Sequence, residues 1–336
     1  TSMGAISVSA QGLAIQSDGK IVVVGSALNG TTADVALLCY NADGTLDASF
    51  GGGDGIVTTA VDAHNYYGAS VAMQADGKIL VAGVTADGSS STFALLRYTA
   101  SGTLDASFGG GDGITTTSFP AGHSNASALI VQPNGKIIVT GTDGPAFALA
   151  RYTTDGALDT SFGSGGTVTT VLNPVGCNAS AFDATLQADG KIILAGYAAD
   201  SVTGLQSFAV VRYTANGSLD TGFGRGDGIA LVADGAGIDW LYSVTTQSDG
   251  KIVAAGFSSN YASSALALLR FNANGTLDKN FGSTSTLGAA VSYTENGSAV
   301  VLESGAQIAD PELSTADNFN GATLTRAELG EVMDAL

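Results

Sequence analysis

One nine-residue string recurs five times along the 336 residues of this chain. It reads "SDGKIVVVG" at 17–25, "ADGKILVAG" at 75–83, "PNGKIIVTG" at 133–141, "ADGKIILAG" at 188–196 and "SDGKIVAAG" at 248–256. The lysines Lys20, Lys78, Lys136, Lys191 and Lys251 are therefore spaced by 58, 58, 55 and 60 residues. A second block follows each string: "ALLCYNADGTLDASFG", "ALLRYTASGTLDASFG", "ALARYTTDGALDTSFG", "AVVRYTANGSLDTGFG" and "ALLRFNANGTLDKNFG". A period of this length marks one supersecondary unit that buries its apolar faces only by stacking on its neighbours.

Within a copy the pattern is β. In the second, "ASVAMQ" (69–74) and "KILVAGV" (78–84) flank Ala75-Asp76-Gly77, a hairpin signal. "FALLRYT" (93–99), a glycine-rich loop and "ITTTSF" (114–119) complete it. Four short strands per copy, about 20 in all, make a β-propeller when repeated around an axis. A parallel β-helix would not place a tight Asp-Gly hairpin at the same point of every copy. The strand before "DGK" is small and apolar, as a crowded hub requires. The last strand is threonine-rich ("IVTT", "ITTT", "TVTT"), as befits an outer edge. The expected fold is all-β: a five-bladed propeller of four-stranded antiparallel blades over 1–293, with repeats near 7–61, 62–119, 120–172, 173–233 and 234–293. Residues 294–336 form a short C-terminal β extension or linker.

The "DGKIVVVG…FALLRYTASGTLDASFG" pattern resembles the delta-60 repeat of large bacterial exported proteins, a relative in shape of NHL-type propellers. That resemblance implies a fold and no common activity. Beyond the repeats, "VSYTENGSAVVLESGAQIADPELSTADNFNGATLT" (291–325) resembles the opening of the cadherin-like or Ig-like modules of bacterial surface proteins. The final "RAELGEVMDAL" departs from that pattern. The resemblance implies Ca²⁺ at a domain junction, with Glu295, Asp310 and Glu312 where such acids are expected and Pro311 as a departure from the pattern.

Charge is scarce and negative: 12 Lys plus Arg against 30 Asp plus Glu, a net −18. Such a chain is a poor partner for nucleic acid or an anionic membrane, and no apolar run reaches the ~18 residues of a spanning helix. The first residues show neither a basic n-region nor a long apolar segment of a signal peptide. Five of the six lysines are the turn lysines, and Arg97, Arg151, Arg212 and Arg270 share one column before an aromatic, where the first copy has Cys39. Either the column contacts a ligand five-fold, or each Arg pairs with the recurring acid of "LDxxF" (Asp47, Asp105, Asp159, Asp220, Asp278) and orders a long loop. The second reading is preferred. Asp54, Asp112 and Asp227 in the glycine-rich loop raise a calcium question, yet the EF-hand order is missing and turn capping accounts for them. Cys39 and Cys177 lie in blades one and four, which are not neighbours, so no disulfide is expected.

Two loop sets, "xDGK" and "GTLDxSFG", are nearly identical in every copy and define one face. The opposite face carries segments that differ every time: "DAHNYYG" (62–68), "PAGHSN" (120–125), "NPVGCN" (173–178), "AADSVTGLQS" (199–207 within it), "DGAGIDWLY" (234–242) and "SSNYASS" (258–264). Function concentrates on loops over a rigid scaffold. Tyr66, Tyr67, Trp240, Tyr242 and Tyr261 are candidates to stack on sugar rings, with His64 and Asp239 as polar contacts; otherwise the same aromatics fill gaps between blades. Catalytic motifs are missing: no nucleophile elbow, H-E-x-x-H, C-x-x-C or phosphate loop. A glycosidase needs paired carboxylates, but the inner-strand column Gly12, Ser70, Ala128, Asp183, Ser243 holds one acid, with Asp62, Asp234 and Asp239 nearby in loops. The sequence thus points to a non-enzymatic, extracellular or cell-surface module for protein or glycan interaction or rigid spacing, with flanking domains in the same chain. A lectin is the alternative and a carbohydrate-active enzyme the third reading.

Overall fold

A computed structural model describes residues 7–28, 30, 32–61, 64–172, 178–200, 202–233, 237–282 and, for the backbone alone, 291–293. Among them are twenty strands and no helix, hence no helix long and apolar enough to cross a membrane. Blade one comprises β1 (Ser7–Ile15), β2 (Ile21–Leu28), β3 (Ala33–Tyr40) and β4 (Ile56–Thr59). Blade two comprises β5 (Asn65–Met73), β6 (Ile79–Ala86), β7 (Ser91–Tyr98) and β8 (Ile114–Thr117). Blade three runs through β9 (Ser124–Val131), β10 (Ile137–Asp143), β11 (Ala146–Tyr152) and β12 (Thr167–Val171). Blade four runs through β13 (Ala179–Leu186), β14 (Ile192–Ala199), β15 (Gln206–Tyr213) and β16 (Ile229–Val232). Blade five runs through β17 (Ile238–Thr246), β18 (Ile252–Ser259), β19 (Ser264–Phe271) and β20 (Val291–Tyr293). Each blade is a four-stranded antiparallel meander in sequence order.

The first strand of every blade is the inner one. β1 packs on β5, β5 on β9, β9 on β13 and β13 on β17, and the second and third strands of blades one to four lie against the inner strand of the next. This confirms the strand order read from the sequence. Each "DGK" hairpin turns on a glycine at φ 79–86°, a conformation open to glycine at little cost.

The last glycine of the string has a different reason. Every inner strand carries a one-residue bulge, and Gly25, Gly83, Gly141, Gly196 and Gly256 lie beside it. A β-carbon there would sit 1.8–2.3 Å from the carbonyl oxygen of the paired inner strand, a separation no substitution tolerates without moving backbone. The bulge ejects Gln11, Ala69, Ser127, Phe182 and Tyr242 from the regular alternation.

Cores lie between blades. Leu80, Ala82, Phe93 and Leu95 of blade two close over Ile137, Val139, Ala148 and Ala150 of blade three, all fully buried. Each such leucine contributes about 1.5–3 kcal/mol through removal from water. Polar ties cross the same seams: the Tyr98 hydroxyl donates to Thr59 Oγ1 at 2.9 Å, and Tyr213 to Thr170 at 2.8 Å. In blade five the tyrosine is Phe271 and the position matching the threonine is Val232, so both partners of that hydrogen bond are replaced together. Loss of both leaves no unpaired hydroxyl and is close to neutral.

Four such seams are present among the described residues. Among the described residues, no packing comparable to that between the other inner strands joins β17, β18 or β19 to β1.

Candidate functional site

The repeated-loop face is an ion-pair scaffold. In blade two, Asp105 Oδ2 accepts from Arg97 Nε at 2.8 Å and lies 3.1 Å from Lys78 Nζ, while its Oδ1 accepts from Ser107 N and Oγ. The arrangement recurs with Arg151, Lys136 and Asp159, with Arg212, Lys191 and Asp220, and with Arg270, Lys251 and Asp278. Each guanidinium also lies 4.4–4.6 Å from the centroid of the loop phenylalanine. The expected Arg–Asp pairing is present. It is one-pronged rather than bidentate, because the other nitrogens serve different acceptors. Arg97 Nη1 donates to Thr154 O, Arg151 Nη1 to Ala215 O and Arg212 Nη1 to Ala273 O, each on the following blade.

Where Cys39 replaces the arginine, Lys20 is the one cation on Asp47, at 2.8 Å, and the Cys39 thiol donates to the same Oδ2 at 3.9 Å. Burial, then the Asp47 charge, pushes the Cys39 thiol up. All five aspartates are held below the usual carboxylate range. At Asp47 and Asp278 the foremost cause is the hydrogen bond from Lys20 or Lys251, and at Asp105 it is the Ser107 hydroxyl. At Asp159 burial opposes the shift, and Lys136 and Ser161 outweigh it. At Asp220 burial again opposes, and the Gly222 amide and Arg212 outweigh it. Nine of the twelve basic residues are thus committed to structure.

The glycine-rich loop acids are turn caps: Asp54, Asp112 and Asp227 each accept the backbone N–H two residues on, at 2.9–3.0 Å. Among the described residues no group of three or more His, Cys, Asp or Glu could hold a metal ion. Glu295, Asp310 and Glu312 lie outside the described residues, as do Cys177, Asp62 and Asp234.

The other end of the blades concentrates aromatics at the fourth seam. Trp240 stacks on Tyr197 at 5.0 Å and 16°, and its Nε1 donates to Gln206 Oε1. Phe182 lies 5.6 Å from Trp240 and 5.1 Å from Tyr242. Phe257 lies 5.5 Å from Trp240 and stacks on Tyr242 at 5.8 Å and 22°. Tyr242 is exposed, and the other four rings are half-buried. Five rings from β13, β14, β17 and β18 therefore form one partly solvated wall.

The structure also relocates several candidates. The sequence pattern places "DAHNYYG" and "DGAGIDWLY" in loops, but β5 begins at Asn65 and β17 at Ile238. The reason is alternation: Asp239 and Leu241 are fully buried on one side of β17, and Trp240 and Tyr242 are more open on the other. Tyr66 is fully buried between blades one and two, its ring over Gly83, and so is removed from any accessible ligand surface, as is Asp239. Tyr67 is exposed and shares the Trp240 column, seven residues before the turn glutamine, but lies in blade two. His64 is half-buried beside it in sequence. Tyr261 is exposed at φ 68° in the β18–β19 turn, rare for an aromatic, with its ring beside Gly237.

Phe182, Tyr197 and Phe257 escaped the loop-based reading because they sit in strands. Register would have found them: Phe182 and Tyr242 are both bulge residues, and Tyr197 and Phe257 both follow the bulge-facing glycine. Asp183 is engaged structurally. Its Oδ1 accepts from Ala184 N, and its Oδ2 accepts from Ser243 Oγ at 3.1 Å and Val244 N at 2.8 Å, tying β13 to β17.

Fold and repeat together define a repeat-built β-propeller. Five segments, 16–50, 74–108, 132–162, 187–223 and 247–281, match the family described as "Domain of unknown function (DUF5122) beta-propeller", and the chain belongs to that family. No curated protein matches it. Among solved structures it is similar to a protein from Lactobacillus plantarum, with TM-score 0.45 and 14% identity over 80% of this chain and 69% of that one. It is also similar to an endo-arabinase from Bacteroides thetaiotaomicron, with TM-score 0.42 and 11% identity over 80% and 95% of the two chains. A virginiamycin B lyase from Staphylococcus aureus gives TM-score 0.36 and 13% identity over 80% and 83%. Likenesses this distant carry no functional argument.

Proposed function

We propose that this propeller is a non-catalytic binding module of the surface or adhesin type, carried in a large exported bacterial protein, and that its aromatic wall takes glycans. The observation that supports this reading is the cluster Phe182, Tyr197, Trp240, Tyr242 and Phe257, five rings in mutual contact yet partly open to solvent. Flat apolar faces with polar tips suit the apolar faces of sugar rings, as aromatic side chains do wherever one end is dry and the other wet. Tyr67 and Tyr261 are further exposed rings at the same end, and His64 is a polar neighbour of the first. Against catalysis stands Asp183, the single acid of its inner-strand column, whose oxygens are filled by three donors.

The delta-60 resemblance and the cadherin-like 291–325 segment support the exported, multi-domain setting. In that setting Glu295, Asp310 and Glu312 bind Ca²⁺ at a domain junction, and EDTA lowers the melting temperature of the full chain; an unchanged value removes this part of the reading. The glycan reading is tested on a glycan array with the full chain and a Trp240→Ala/Tyr242→Ala variant. Binding that the variant loses supports it. No binding by the unaltered chain at multivalent display, or binding that the variant retains, overturns it.

A further inference from the structure

The two ends of the blades differ in charge as well as in sequence. All eleven lysines and arginines among the described residues lie at the repeated-loop end. Nine are the turn lysines and column arginines, and Arg225 and Lys279 stand in the long loops that follow β15 and β19. The end that carries the aromatic wall has none among the described residues. Tyr197 sits six residues along its strand from Lys191, and Trp240, opposite Phe257, is as far from Lys251. At the rise of a β-strand this is about 20 Å, more than two Debye lengths of about 8 Å at physiological salt. Arg212 and Arg270 are nearer by register, opposite Ile193 and Val253, but Asp220 and Asp278 pair with them at 2.8 and 2.9 Å.

Carboxylates, by contrast, flank the wall. Asp183 follows Phe182 in β13, and its oxygens accept from Ala184 N, Ser243 Oγ and Val244 N. Asp200 opens the β14–β15 turn that leads to Gln206, the acceptor of the Trp240 Nε1 proton. Its Oδ1 accepts from Thr203 N, Val202 N and Thr203 Oγ1. The Thr203 amide, then the Val202 amide, holds Asp200 below the usual carboxylate range, so it is ionised at neutrality. Every one of these donors is neutral, so no counter-charge cancels either carboxylate. The rings act in the same direction, because the face of an aromatic ring is the negative part of its quadrupole and attracts cations. One like-charged pair about 10 Å apart in water lowers affinity about twofold. Several such pairs, as an acidic oligosaccharide would make, compound to about tenfold.

We infer, on the footing of the glycan reading above, that the wall selects its sugars by charge: it takes neutral and amine-bearing glycans and rejects those with carboxylate or sulfate groups. Stacking on Trp240 and Tyr242 is open to any sugar with an apolar face. The fixed charges around the rings then decide among them, since an ammonium is drawn to both the ring faces and the carboxylates, and an acidic group is repelled by both.

The test is an array of neutral, amine-bearing and acidic oligosaccharides, among them hexamers of N-acetylglucosamine, glucosamine and galacturonate, probed with the full chain at low and high salt. Neutral and amine-bearing probes are expected to bind, and acidic probes to bind at least about tenfold more weakly at low salt. Any acidic binding is expected to strengthen as salt rises, because screening removes the repulsion. A Val202→Lys/Leu205→Lys variant places two ammonium groups on the turn that carries Asp200, at exposed positions that spare the fold. It is expected to gain severalfold for acidic probes and to keep its affinity for neutral ones. Acidic probes bound by the unaltered chain as tightly as neutral ones, and lost with Trp240→Ala/Tyr242→Ala, overturn the inference and leave the glycan reading standing. No gain by the lysine variant also overturns it. Glucosamine binding that Trp240→Ala/Tyr242→Ala retains would trace to the net charge of −18 and overturn the preference for amine-bearing sugars. Binding of no probe at all removes the glycan reading and this inference with it.

Discussion

Blade two and blade five are written in nearly the same words. "FALLRY" at 93–98 and "LALLRF" at 266–271 form β7 and β19, pair with the preceding strand in the same register, and place an arginine on an aspartate eight residues later. Yet the first residue is 0% exposed in one and 55% exposed in the other. The local pattern makes the blade, and the neighbouring blade decides which of its apolar residues become core. In a repeat protein, stability belongs to interfaces as much as to units.

The largest expected effect lies in what the two blades share. Gly83→Ala and Gly256→Ala both force a β-carbon into the backbone of their own blade's inner strand. Both should cost about 3 kcal/mol or more, at the upper end for overpacking, as read by chemical denaturation. A mild effect at Gly256 alone would show that blade five relaxes freely and is not the same unit.

Acid comes next, because it acts on all five loops together. The aspartates at 47, 105, 159, 220 and 278 have folded-state pKa values below their ordinary ones. Their contribution is therefore fully present above the ordinary carboxylate value of about 4 and is lost as pH falls through the folded values. Melting temperature should hold near neutrality and fall steadily below about pH 4. A chain that is equally stable at pH 2 and pH 7 would contradict the ion-pair scaffold.

A smaller and more discriminating effect separates the blades. Leu95→Ala removes a fully buried side chain and should cost about 2–5 kcal/mol. Leu268→Ala, at the matching half-buried position, should cost well under half as much. Equal costs would mean that the two leucines are equally covered.

Much of this architecture is legible in the sequence, since the string "DGKIVVVG" names its own turn and the second block names its arginine, aspartate and phenylalanine. The Arg–Asp reading needed only the shared column. What the sequence hides is what depends on distant neighbours. Lys78 reaches Asp105 because the hairpin and the loop meet on one face, which no local spacing announces. Tyr66 stands in a segment that reads as a variable loop and is interblade core, whereas Phe182 and Tyr197, which lie in none of those segments, belong to the open wall.

Hydrogen exchange across the five blades tests the central contrast most directly. The amides of β7 (Ser91–Tyr98) should exchange far more slowly than those of β19 (Ser264–Phe271). Equal protection of the two strands would contradict the account.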